Sequence, residues 1–148
     1  MLHGNEEQAM HYPENILEAA LVRYPGLISA YLFGSYLEQR AHRESDVDVG
    51  VLLDRGTYPT AAERFEARLD LLSLLEHALA PRHPDVVILN DAPPGLAARI
   101  VTTGKRVTCA DSESDHAFVR DSQLRAADLE PFLRRMRDIK LRTILGHR

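Results

Sequence analysis

Residues 45–53, SDVDVGVLL, open an apolar run with two carboxylates, Asp46 and Asp48. Side chains alternate across a strand, so both project to one side. At a separation of ~4 Å they repel by about 4 kcal/mol at an effective dielectric near 20. Three arrangements offset that cost: protonation of one or both, a basic residue between them, or a bridging divalent cation. A carboxylate pair completed by substrate phosphates is a common way to hold Mg²⁺. Upstream, another apolar run ends in Gly34-Ser35, with ten residues separating Ser35 from Asp46. A Gly-Ser turn between strand and helix offers backbone N–H groups and a hydroxyl to phosphate oxygens. Asp85 opens a third apolar run. Beside the first pair, it would bind a second metal or accept the proton of an attacking hydroxyl. A phosphate cradle, a metal pair and a base at one sheet edge suit nucleotidyl transfer, where positioning and charge neutralisation supply most of the catalysis.

The elements that must hold these groups can be read from the pattern. Pro13 suits the first turn of a helix running through ILEAALVRY, which Pro25-Gly26 ends. LISAYLF (27–33) reads as a strand, and YLEQRA as a short helix with Ser35 near its N-cap. DVDVGVLL (46–53) is apolar on both faces after its acidic start, which predicts a central strand covered on both sides. Thr60 with Glu63 forms a capping-box pattern ahead of a long helix, whose apolar row is expected to be Phe65, Leu69, Leu72, Leu75 and Leu79. DVVILN (85–90) is a third strand. A short helix closed by Gly104 follows, then a short strand around Arg106 to Cys109. The remainder is helical, with Pro131 expected to divide or kink it. Alternating strands and helices around one small sheet predict an α/β or α+β class.

At 148 residues the chain fits one domain, with a core over about 13–110 and a helical segment over about 112–146. A net charge of -4 gives no global footprint for nucleic acid. The single cysteine excludes an internal disulfide and fits a reducing cytoplasm. MLHGNEEQAM has acids where a signal peptide needs bases, and no apolar stretch approaches the ~18–20 residues that span a bilayer.

The stretches AYLFGSY, SDVDVGVLL, DVVILNDAPPGLAARIV and GKRV together resemble, in order and spacing, the minimal nucleotidyltransferases of the DNA polymerase beta superfamily. The resemblance covers roughly residues 28–108. It implies a nucleotidyltransferase fold, with a small mixed sheet flanked by helices and a C-terminal helical segment. It assigns the phosphates of a nucleotide to Gly34 and Ser35, Mg²⁺ to Asp46 and Asp48, and completion of the catalytic site to Asp85. The ten-residue spacing and small size most resemble the antitoxins paired with HEPN ribonuclease toxins. That likeness implies transfer of AMP from ATP to a tyrosine of a HEPN-type toxin, in a hetero-oligomer. Two other readings remain open at this point. One is an antitoxin of the same fold that neutralises its toxin by binding alone. The other is a small-molecule nucleotidyltransferase that modifies an antibiotic.

Other chemistry-bearing residues have plainer explanations. The seven histidines show no metal-ligand spacing, and Cys109 reads as a small packed residue. Lys105 and Arg106 are either surface charges or contacts to a triphosphate. The basic residues from Arg125 to Arg148 read as a solvated helix face. The alternative is a docking surface for an acidic partner, with Leu129, Phe132, Leu133, Met136, Ile139 and Leu141 packing partly within the protein.

Overall fold

The computed structural model describes residues 13–34 and 46–146. The helix expected over YLEQRA, together with Ser35, His42 and Ser45, lies outside the described residues. The elements follow the order α1 (Pro13–Leu21), β1 (Leu27–Phe33), β2 (Val47–Leu53), α2 (Ala61–Leu79), β3 (Pro84–Ile88), a 3₁₀ turn (Leu89–Asp91), α3 (Pro94–Thr103), β4 (Lys105–Cys109) and α4 (Ser112–Ile144).

The four strands form one mixed sheet in the order β3-β2-β1-β4. β1 runs antiparallel to β2 and β4, while β2 and β3 are parallel. Parallel neighbours need a long crossover, and α2 supplies it. β2 is therefore central, as its apolar composition predicts, and every residue in it except Asp48 is buried.

Two apolar layers sandwich the sheet. On one face Leu17 and Leu21 of α1 and Ala67, Leu71, Leu75 and Leu79 of α2 cover Val47, Val49, Val51 and Leu53. On the other, Ile100 and Val101 of α3 and Phe118 and Val119 of α4 cover Tyr31 and Leu52. Gly50 lies under this second layer, where an added Cβ would come within 2.9 Å of Ile100 Cγ2.

The inward row of α2 differs from the expected one. Phe65 and Leu69 are about half exposed, and the buried row starts instead from Arg64. The helix carries apolar residues on two adjacent rows, so hydrophobicity alone left its rotation open. Arg64 can be buried because Asp91 receives its Nε and Nη2 at 2.9 Å each, and the Tyr58 carbonyl receives Nη1 at 2.9 Å. The expected N-cap does form: Thr60 Oγ1 accepts the Glu63 amide at 3.1 Å. Beyond β3, Asn90 extends the ladder with its side chain, accepting the Leu53 amide at 2.9 Å and donating to the Leu53 carbonyl at 2.8 Å.

α4 runs as one helix through Pro131 rather than dividing there. Asp111 caps it by accepting the Ser114 amide. Its first turns are anchored by Asp115, 1% exposed, which accepts the Tyr31 hydroxyl at 2.6 Å and Arg106 Nη1 at 3.0 Å. Beyond Ser122 the helix is almost wholly exposed. The apolar residues expected to pack partly within the protein, from Leu129 to Leu141, do not do so, because no described element reaches that far along the helix.

Candidate active site

β1 and β2 meet at an edge of the sheet where Phe33 stands opposite Asp48. Gly34 follows with φ at +82°, a conformation that a β-carbon disfavours. The turn also brings its Cα against the Asp48 side chain. An added Cβ would collide with Asp48 Oδ2 and stand 3.0 Å from its Cγ. Glycine is thus required at position 34 for two independent reasons, backbone conformation and the space the carboxylate fills.

On the other side of β2, Asp48 is the register partner of Asp85 on β3. Directly opposed residues share a sheet face. Both carboxylates therefore occupy the α3–α4 face, at the N-terminal ends of the two parallel strands. Asp46 lies just before β2, two residues from Asp48, and is exposed. Asp85 is expected beside the pair if the strands are neighbours in suitable register; the ladder sets it directly opposite Asp48.

The electrostatics follow from that placement. Partial burial pushes the Asp48 carboxyl above its ordinary range, and the negative charges of Asp85 and Asp46 push it the same way. Asp85 has a weak ion pair with Arg68 Nη2 at 3.6 Å, both groups being partly exposed. Arg68 is itself positioned by donating Nε to the Val86 carbonyl at 2.7 Å. Its approach to Asp85 was not foreseen, since the helical period of α2 left its rotation ambiguous.

The donor set fits Mg²⁺. It is made only of carboxylate oxygens, and its central member carries a charge penalty that a divalent cation would relieve. Among the described residues, no group of three or more His, Cys, Asp or Glu side chains is gathered to hold a metal ion. Asp46, Asp48 and Asp85, assigned together from the sequence, are thus not gathered as one three-carboxylate cluster. Lys105 stands 3.9 Å from Glu14, and Arg106 is paired with Asp115 at 3.0 Å.

With the geometry in view, comparison with known proteins defines the class. The polymerase beta nucleotidyltransferase family model matches residues 15–113. The chain belongs to that family. It is similar to the protein adenylyltransferase MntA of Shewanella oneidensis strain MR-1, with 38% identity over 85 residues, 56% of this chain. The match spans about half of the relative's length, 55%. A chain of a toxin–antitoxin crystal structure with AMP-PNP superposes with a TM-score of 0.59 at 26% identity, covering 91% of this chain and 100% of that one. A chain of the toxin–antitoxin MntA–HepT crystal structure gives 0.57 at 25% identity, covering 90% and 97%. Among the described residues, no helix is long and apolar enough to cross a membrane.

Proposed function

We propose that this chain is a Mg²⁺-dependent protein adenylyltransferase, the cytoplasmic antitoxin of a HEPN-type toxin, which moves AMP from ATP to a toxin tyrosine. The observation that carries this reading is the packing of Gly34 against Asp48 with Asp85 opposite. A turn suited to phosphates beside carboxylates suited to a cation supports it, as does a fold whose relatives include an adenylyltransferase and a structure with AMP-PNP. A single domain serves this function, its core of about 13–110 carrying the site and the segment of about 112–146 extending from it.

Asp46 and Asp48 would hold Mg²⁺, with Asp85 beside them. When bound, the ion neutralises triphosphate charge and withdraws electrons from the reacting phosphorus. The backbone at Gly34 and the Ser35 hydroxyl cradle the outer phosphates. Asp85 orients the tyrosine hydroxyl and accepts its proton. The tyrosine oxygen bonds to the α-phosphorus, the bond from that phosphorus to the bridging oxygen breaks, and pyrophosphate leaves with the electron pair.

The test is direct. The protein is mixed with a candidate toxin, Mg²⁺ and each nucleoside triphosphate in turn, and the toxin's intact mass is read. Gain of adenosine monophosphate from ATP alone, mapped to tyrosine, is the expected result. An unmodified toxin that is nonetheless inhibited would replace this reading with neutralisation by binding. The Arg68–Asp85 contact favours that second reading, because it occupies the carboxylate assigned as base.

A further inference from the structure

The exposed half of α4 carries an unusual arrangement of charge. Residues seven apart lie on nearly one line along a helix, drifting only about 20° per repeat. One such line reads Asp121, Asp128, Arg135, Arg142, two acids followed by two bases. Beside it runs an apolar stripe of Leu129, Phe132, Leu133, Met136 and Ile139, with Phe132 53% and Ile139 58% exposed. This stripe continues the face through which Phe118 and Ser122 dock α4 on the protein. Among the described residues, Asp128, Arg135 and Arg142 enter no ion pair, and Asp121 pairs only with Arg125 at 3.1 Å. On the opposite flank, by contrast, Glu130 already holds Arg134 and Arg137 at 3.6 and 3.2 Å.

We propose that this face binds a second copy of the same chain, with the two α4 helices antiparallel. Reversing one copy sets Asp121 against Arg142 and Asp128 against Arg135, and the twofold repeats both pairs, so all eight charges of the two rows are matched. The stripes meet around Phe132 and Leu133, over about 33 Å of helix for residues 121–142. Pro131 lies outside the apolar stripe, on the far flank of the charged row. A parallel pair fails by the same reading. It would bring the Asp–Asp–Arg–Arg row beside the row of Ala126, Leu133 and Lys140, with Arg135 against a lysine. The antiparallel order also leaves the two sheets at opposite ends of the helix pair. An acidic partner protein is the competing occupant, but it would leave Asp121 and Asp128 facing like charge.

Sedimentation equilibrium of the full chain over rising concentration tests this. The wild type should move from 16.7 kDa to twice that mass. Asp128→Arg alone and Arg135→Asp alone should each weaken association by about tenfold or more, because two attractive pairs become repulsive. Circular dichroism should report unchanged helix content in both. Mixed in equal amounts, the two variants should associate again, since one carries bases and the other acids at the central positions. A wild type that stays at 16.7 kDa, or variants that associate as the wild type does, would overturn the proposal. So would a mixture that fails to recover, or a chain that uses this face only for an acidic partner.

Discussion

Gly34 and Asp48 are packed so that no side chain fits between them: a methyl group on Gly34 would sit 3.0 Å from the Asp48 Cγ and against its carboxylate. The turn at the end of β1 and the carboxylate on β2 therefore constrain each other. Gly34→Ala should lower stability by about 1–3 kcal/mol, from the clash together with φ at +82°. Adding Asp48→Ala should recover the part due to the clash and leave the part due to backbone strain. Urea denaturation of the single and double variants separates the two contributions. Equal stability of Gly34→Ala and wild type would contradict the packing.

Asp48 also carries an electrostatic penalty that can be read from pH. Its folded-state carboxyl is raised first by burial, then by Asp85 and Asp46. Ionisation thus costs the folded state more than the unfolded one. That penalty is absent below the unfolded pKa and grows as pH rises through the folded one. Without metal or nucleotide, Asp48→Asn should raise Tm at neutral pH and match the wild type in acid. Mg²⁺ should then raise the wild-type Tm and leave that of Asp48→Asn almost unchanged.

The anchor of α4 gives a prediction independent of the candidate active site. Asp115 is buried and holds both Tyr31 and Arg106. Asp115→Ala should cost about 2–4 kcal/mol, since it orphans a hydroxyl and a partly buried guanidinium. Burial, followed by the Asp115 bond, pushes the Tyr31 hydroxyl well above the ordinary tyrosine range. The stability this represents is complete below the unfolded pKa of about 10 and is lost as pH rises toward the folded value. Tyr31→Phe should therefore lose stability at pH 7 and show a shallower decline above pH ~10. Thermal melts from neutral to alkaline pH would show both effects.

Some of this architecture was legible in the residues. β2 announces its central place by being apolar on both faces, and Thr60 with Glu63 announces the start of α2. Register was not legible, because backbone hydrogen bonds set which residues oppose each other; the sequence left open which member of the pair Asp85 would face, and the ladder puts it against Asp48. The rotation of α2 was hidden for a different reason. Its buried row includes Arg64, whose burial depends on Asp91, distant in sequence and supplied by the turn after β3. Of the candidate site, the residue types and their common sheet edge could be read, while the tight packing of Gly34 on Asp48 required the folded turn. Ser35 lies outside the described residues, so its role rests on the sequence alone.

The central claim is that the carboxylates at this edge drive transfer of AMP to a partner protein. Asp46 is the best residue with which to test it, because it is exposed and its removal should leave the fold intact. The decisive measurement compares wild type and Asp46→Ala, both with ATP, Mg²⁺ and the HEPN-type toxin, by intact mass of the toxin. The account predicts added adenosine monophosphate with the wild type and at least a hundredfold slower addition with a variant of unchanged Tm, roughly the loss expected when a charge-stabilising group is removed. Undiminished transfer by Asp46→Ala would contradict it.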